Sequence, residues 1–164
     1  MADLLLAERL QPSLLDRLTD DASGSKSDSV SEQSIDIHRL RKIIHRDLFW
    51  LLNCSNIEAT HNLDLYPNVA SSVLNFGISN LSGRGDTRHH IVQIQQTIRK
   101  AIEIFEPRIL RESIEVTPSK NKDTNEAVIS FDIRGELWAK PVPVELYLRT
   151  ALDVVSGDLT LKQV

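Results

Sequence analysis

The side chains best suited to acid–base chemistry are a set of glutamates in the second half of the sequence: Glu106, Glu112, Glu115, Glu136 and Glu145. Hydrolysis of a glycosidic bond needs two carboxylates that flank a sugar cleft, which aromatic side chains commonly line. Aromatic residues make up only 5% of this sequence, and most of these glutamates alternate with apolar residues at positions that should face solvent. The pattern therefore favours a protein without catalytic activity.

The sequence gives equally little evidence for a metal or cofactor site as for a catalytic one. His38 and His45 share a predicted helix but are separated by about 10 Å of helical rise, too far to bind one ion. Cys54 is the only cysteine, and we expect it to be a small buried core residue. Gly83 and Gly85 lack the flanking strand and the Gly-Lys-Ser/Thr ending of a phosphate-binding loop. We predict no metal site and no cofactor.

The segment Glu106-Pro107-Arg108 violates a local rule. It follows a predicted helix, where a carboxylate faces the negative end of the helix dipole and is unfavourable. Two interpretations are open. Glu106 and Arg108 either pair with each other around a rigid proline turn, or they present opposite charges to a binding partner.

Apolar spacing of three and four residues predicts three helices in the domain: Ser34 to about Cys54, Pro67 to Asn75, and about Thr87 to Phe105. In the second of these, Val69, Val73 and Leu74 are expected to face inward. Gly77 ends it, and Pro107 ends the third.

After Pro107 the apolar period changes to two, which is typical of strands with one buried face. The predicted strands contain Ile114 and Val116, then residues 129–133, then residues 146–154, and finally Leu159 and Leu161. A polar loop is expected from Pro118 to Glu126, and Gly135 suggests a bend or bulge. The fold class is therefore α+β, with about three helices packed on one face of an antiparallel β-meander.

Three regions differ in composition. Residues 1–18 are predicted to form a flexible arm with short helical pieces, whose apolar positions are Leu6, Leu10, Leu14, Leu15 and Leu18. Residues 19–33 are rich in serine and form a predicted flexible linker, and residues 34–164 form the folded domain. The arm either folds back on the domain or docks on another protein.

Composition limits the partners. The chain has 164 residues, a net charge of -4 and a pI of about 5.7, so nucleic acid is an unexpected partner. No apolar run approaches the ~20 residues of a membrane span, and no signal peptide pattern is present. We expect a cytoplasmic protein without direct membrane insertion.

Four blocks in this order resemble the TssE baseplate subunits of bacterial type VI secretion systems. They are ERLQPSLLDRL (8–18), YPNVASSVLNFG (66–77), IEIFEPRIL (102–110) and FDIRGELWAKPVPVELYLRT (131–150). That family is in turn similar to a wedge protein of contractile-tail phage baseplates. The resemblance covers about Glu8 to Leu161, without the linker.

The resemblance implies a structural subunit of a cytoplasmic baseplate assembled at the inner membrane. Glu106, Pro107 and Arg108 match the family motif implicated in binding other wedge subunits, so Arg108→Ala is expected to weaken assembly and leave the isolated fold intact. The family also offers its sheet to contractile sheath subunits, and free N–H and C=O groups at Leu159 and Leu161 would accept a strand. The inner tube and membrane complex would be contacted only indirectly.

Two functional alternatives remain. The phage relatives have carried a lysozyme label, which implies a peptidoglycan-acting hydrolase. No acid–base pair recognisable in this sequence supports that alternative, and an adaptor that uses only the N-terminal arm is a third, weaker hypothesis.

Overall fold

The computed structural model describes residues 13–18, 37–79, 81, 88–119, 128–138, 144–153 and 155–163. The α-helices in this part of the chain are α1 (Leu14–Leu18), α2 (Ile37–Asn53), α3 (Pro67–Ala70) and α4 (Arg88–Phe105). Single 3₁₀ turns span Ile57–Ala59, Val73–Asn75 and Arg111–Ser113. The strands are β1 (Glu115–Ser119), β2 (Val128–Leu137), β3 (Val144–Asp153) and β4 (Leu159–Gln163).

The four strands form one antiparallel sheet in the order β1-β2-β3-β4, as the predicted meander requires. Helices α2 and α4 pack against each other and against the sheet, α2 beside β4 and α4 beside β1. The α+β class and the helix-on-sheet arrangement are therefore confirmed. None of the helices described is long and apolar enough to cross a lipid bilayer.

The core forms where the apolar faces of the two long helices meet one face of the sheet. Its members follow the predicted periods of three to four residues in the helices and of two in the strands. The fully buried side chains include Ile44, Leu48, Ile94, Ile98, Ile102, Phe131, Ile133, Leu148 and Leu152. Thr150 is also buried, and its hydroxyl donates to the Phe131 carbonyl at 3.1 Å, so the polar atom is satisfied.

Two strand predictions need correction. Pro118 and Ser119 belong to β1 and pair with Phe131 and Ser130, so these two residues are not part of the predicted polar loop. The β2–β3 register runs unbroken past Gly135, so no bulge exists there. Glycine is needed at this position because a Cβ atom would come within 2.8 Å of the Ile109 side chain.

The predicted second helix is also different. It ends at Ala70, and Val73 and Leu74 in the following 3₁₀ turn are 82% and 68% exposed rather than inward. Asn75 is buried instead, where its side chain accepts from Glu58 N–H and donates to the Ala70 carbonyl. Hydrogen bonding to a buried amide thus decides which side of the turn faces inward.

Cys54 was expected in the core but is exposed. The reason is that α2 ends at Asn53, and the chain turns there so that the Cys54 carbonyl accepts from Ile78 N–H at 2.8 Å. Several other predictions lie outside the described residues. These are the start of the first helix at Ser34, the linker 19–33, the start of the third helix at Thr87, the end of the third predicted strand at Val154, and Gly83 and Gly85.

Gly77 provides a test of this part of the fold. It has φ of +117°, and a Cβ atom there would overlap the Cys54 carbonyl. We expect Gly77→Ala to lower the free energy of unfolding by more than about 2 kcal/mol, measured by urea denaturation. Gly157→Ala, which changes a glycine with φ of +83°, is the control for backbone strain and should cost about 1 kcal/mol. Equal losses in the two variants would contradict the close approach at Cys54.

Candidate functional site

The Glu106-Pro107-Arg108 segment forms a turn that is tied to the sheet. Glu106 N–H still donates to the Ile102 carbonyl, and Pro107 then ends α4 because it has no N–H to continue the helix. The Arg108 carbonyl accepts from Trp138 N–H at 2.8 Å, and Ile109 forms an antiparallel bridge with Leu137 of β2. The turn is therefore held at both ends by backbone hydrogen bonds.

Within this turn, Arg108 binds Glu106 through two hydrogen bonds. Its Nε atom donates to Glu106 Oε1 at 2.6 Å, and its Nη2 atom donates to Glu106 Oε2 at 2.5 Å. The Glu106 side chain is only 4% exposed, whereas Arg108 is 30% exposed. Such a bidentate pair fixes the orientation of both groups and compensates the charge of the buried carboxylate.

Asp47 of α2 extends the pair into a network. Its Oδ2 atom accepts from Arg108 Nη2 at 2.6 Å, and its Oδ1 atom accepts from Arg46 Nη2 at 2.8 Å. Arg46 Nη1 in turn donates to Asp16 Oδ1 of α1 at 2.8 Å. The charges thus alternate from α1 through α2 to the turn after α4. We call these five residues, Asp16, Arg46, Asp47, Glu106 and Arg108, the ion network.

The network shifts the pKa values of Arg108, Arg46 and Asp16. Burial alone would lower the pKa of Arg108, but the hydrogen bonds and charges of Glu106 and Asp47 raise it above its usual value. Burial would raise the pKa of Asp16, yet the Ser13 hydroxyl and the Arg46 guanidinium together hold it below its usual value. The charged forms of both groups are therefore favoured at neutral pH.

Aromatic side chains surround the network. The Arg46 guanidinium carbon lies 5.0 Å from the centre of the Trp50 ring, and Phe76 packs edge-on against Phe105 with ring centres 5.5 Å apart. Together with four members of the network they line a shallow cleft of about 240 Å³, which is bordered by Ser13 and by Leu15 of α1; the four members are Arg46, Asp47, Glu106 and Arg108. A cleft with aromatic walls and fixed opposite charges can hold a protein side chain or a helix end.

The comparison with protein families decides what kind of protein this is. A family model described as baseplate wedge protein gp25 matches residues 38–142, which is more than half of the chain. The chain belongs to this baseplate wedge family. No curated protein and no solved structure matches the chain. The wedge-family segment contains all but the first residue of α2, together with α4, the Glu106-Pro107-Arg108 turn, β1 and β2, but it leaves out α1, β3 and β4.

Family membership agrees with the resemblance drawn from the sequence and identifies the chain as a structural baseplate protein. It gives no support to a hydrolase. Of the glutamates considered for acid–base chemistry, Glu106 is bound to Arg108, and Glu112, Glu115, Glu136 and Glu145 are exposed. Among the residues described, no group of three His, Cys, Asp or Glu side chains converges on a point where a metal ion could bind.

The arm residues predicted to bind partners in this wedge-family chain have an unusual arrangement. Leu14 and Leu18 are 71% and 75% exposed and Leu15 is 48% exposed, whereas Asp16 between them is buried. Helix α1 therefore turns Asp16 toward its own domain and Leu14 and Leu18 toward solvent, while Leu15 borders the cleft. The fourth predicted residue, Leu10, lies outside the described part of the chain.

At the other end of the chain, Leu159 and Leu161 have core-facing side chains that are 1% and 9% exposed. Their backbone groups were expected to be free, and this is wrong for three of them. Leu159 N–H and C=O both bond the Asn53 side chain, and the Leu161 carbonyl lies 3.2 Å from His45 Nε2. The partner-binding role of this edge remains a prediction.

The sequence did not reveal the remaining network members. Arg46, Asp47 and Asp16 are not among the site residues predicted from the sequence. Asp47 is 61 positions from Arg108 and Asp16 is 30 positions from Arg46, so no local spacing connects them. The only available signal was Asp47 itself, a carboxylate directly beside Leu48 on the apolar side of an amphipathic helix.

The geometry changes the expectation for Arg108→Ala. Because this variant leaves the Glu106 carboxylate buried without its cation, we expect the free energy of unfolding to fall by about 2 kcal/mol rather than stay intact. Urea denaturation of the isolated chain measures this. Arg99→Ala removes an exposed pair with Glu103 and should cost less than about 0.5 kcal/mol. Equal costs for the two variants would show that the network adds nothing to stability.

The Asp16 contact should hold α1 in place. Asp16→Asn removes the charge that binds Arg46, so we expect α1 to detach and the fluorescence of Trp50 to change in a Trp138→Phe background. Leu18→Ser, on the exposed side of the same helix, should leave that fluorescence unchanged. In the parent protein, the Asp16–Arg46 ion pair should be fully formed above the usual aspartate pKa of about 3.9. It should be lost as the pH falls through the lower pKa that Asp16 has in the folded protein. Identical emission from Asp16→Asn and the parent protein would contradict this role.

Proposed function

We propose that this chain is a structural subunit of a type VI secretion baseplate, where it binds other wedge subunits and helps to start assembly of the contractile sheath. The observation that carries the proposal is the wedge-family match over residues 38–142, together with the four sequence blocks that resemble TssE. The role is non-enzymatic and needs no metal or cofactor.

The ion network supports a role for Glu106, Pro107 and Arg108 in wedge assembly. A docking surface gains affinity when its groups are already held in the bound geometry. Here the turn is tied to β2, and Arg108 is fixed by two carboxylates while 30% of its side chain stays exposed. A neighbouring wedge subunit can therefore contact this face without first ordering it.

The arm supports a second contact. Exposed leucines at Leu14, Leu15 and Leu18 are costly on a free surface and are typical of a helix that inserts into an apolar groove of a partner. Leu10 is proposed to contribute to the same contact. We propose that residues 1–18 dock on another wedge subunit while Asp16 keeps α1 attached to its own domain, with residues 19–33 as a flexible linker to the domain of residues 34–164.

The sheet supports contact with the sheath. A meander has two outer strands, and an outer strand can accept an extended chain from a sheath subunit through backbone hydrogen bonds. We propose that β4, with Leu159 and Leu161, is the accepting strand. The baseplate would assemble in the cytoplasm at the inner membrane, with the inner tube and membrane complex contacted only indirectly. A net charge of -4 argues against nucleic acid as a partner.

The arm can be tested without disturbing the fold. We expect the double variant Leu14→Asp, Leu18→Asp to reduce incorporation into the wedge by about tenfold or more, because each charge must be desolvated in an apolar groove. The experiment is co-expression with the neighbouring baseplate subunits of the same secretion system, followed by native mass measurement of the purified complex.

The control is Val155→Asp, which changes an equally exposed apolar residue in the β3–β4 turn and should leave incorporation unchanged. Full incorporation of the leucine variant would contradict docking by the arm. Failure of the parent protein to join any complex would contradict the wedge function as a whole.

A further inference from the structure

One side of α2 lies along the outer edge of the sheet. Arg41, His45, Phe49 and Asn53 recur every four residues and so form one ridge of the helix, which we call the α2 ridge. Three of these side chains reach backbone carbonyls of the sheet. Arg41 Nη2 donates to the Glu145 carbonyl at 3.2 Å, His45 Nε2 lies 3.2 Å from the Leu161 carbonyl, and Asn53 Nδ2 donates to the Leu159 carbonyl at 2.9 Å.

The contact at Leu159 imitates a strand. Leu159 N–H also donates to Asn53 Oδ1 at 3.0 Å, so a single carboxamide group satisfies both backbone groups of this residue. An antiparallel strand would bond Leu159 in the same two ways. In an antiparallel pair, hydrogen-bonded and non-hydrogen-bonded residue pairs alternate. Asp153 and Asp158 form a hydrogen-bonded pair, so the next pair, Leu152 and Leu159, is not hydrogen-bonded, and the N–H and C=O groups of Leu159 point away from β3. Asn53 therefore occupies the place that an added strand would take.

The opposite edge is closed more permanently. Val116 of β1 has its carbonyl bound by Gln95 Nε2 at 2.6 Å. The next outward-facing position is Pro118, which has no N–H to offer an incoming strand. A proline cannot be moved aside, whereas a side-chain amide can rotate away. Of the two edges, β4 is thus the one that can be opened by side-chain motion alone.

We infer that the β4 edge is the strand-accepting surface of this subunit, that the α2 ridge keeps it closed in the free chain, and that its partner is an extended segment that replaces the Asn53 carboxamide at Leu159. This inference rests on the proposed sheath contact and adds a mechanism that regulates it, namely closure of the β4 edge in the free chain. Closing an edge in this way prevents strands from pairing with the wrong chain before assembly.

Phe49 and Asn53 are both exposed members of the ridge, and the aromatic one indicates what the partner should look like. Phe49 is 41% exposed and lies between His45 and Asn53 in the ridge. A strand added beside β4 would lie along the ridge that carries this ring, so the segment should carry an apolar side chain near Leu159. Exchanging two hydrogen bonds at Leu159 for two others changes the free energy little. The net free energy of binding must therefore come from further strand pairing beyond Leu161 and from contact with Phe49.

The closed state can be measured in the isolated chain. We expect the amide of Leu159 to exchange with deuterium at least about tenfold faster in Asn53→Ala than in the parent protein, because the acceptor is removed. Asn53→Asp keeps an acceptor for that N–H and should retain most of the protection. Gln95→Ala removes the side chain that binds the other edge and should leave Leu159 unchanged. Equal exchange in Asn53→Ala and the parent protein would overturn the closure.

Opening can be measured with the purified sheath subunit of the same secretion system as the probe. We expect Asn53→Ala to bind it about tenfold more tightly than the parent protein, Gln95→Ala to bind like the parent, and Leu159 to be protected again in the complex. Sheath binding by the parent that Asn53→Ala leaves unchanged would overturn the inference while the sheath function stands. Absence of binding by all variants would contradict the sheath function itself, and the inference would fall with it.

Discussion

The shared carboxylate of Asp47 is the interaction on which the candidate site depends. One oxygen accepts from Arg46 and the other from Arg108, so a single side chain of α2 connects the arm helix to the turn after α4. A network of this kind contributes less to stability than its many contacts suggest, because each charge loses hydration on burial. Its main effect here is geometric. It fixes where Glu106 and Arg108 lie and which side of α1 faces the domain, and both features form the surface proposed to meet another wedge subunit.

Helix α2 serves three neighbours at once because its sides differ. Its apolar side, with Ile44 and Leu48, fills the core; Arg46 and Asp47 enter the ion network; and the α2 ridge lies against the β4 edge. The proposed wedge contact and the proposed sheath contact therefore meet on one rigid element. A change in the position of α2 would act on both, which gives a physical route by which assembly of the wedge could prepare the sheet for the sheath.

Much of the fold could be predicted because it depends on periods within short segments. The helix face with Ile94, Ile98 and Ile102 and the strand face with Ile129, Phe131 and Ile133 are both buried as predicted. The failures occur where a polar group decides the structure. Buried Asn75 turns Val73 and Leu74 outward, and the Asn53 side chain bonds an edge that was expected to be free. Of the ion network, only Glu106 and Arg108 were identified, because their exceptional position beside a proline is local, whereas Asp47 and Asp16 are joined to it through tertiary contacts alone.

The most direct test of the account is to remove the shared charge. Asp47→Asn should leave the isolated chain folded by circular dichroism but greatly reduce its share in the native mass of the co-expressed wedge complex. Asp132→Asn is the matched control, because it breaks another Asp–Arg pair, with Arg149, outside the ion network. Asp47→Asn should be lost from the complex, whereas Asp132→Asn should be incorporated normally. Normal incorporation of both variants would contradict the claim that the ion network forms the wedge-binding site.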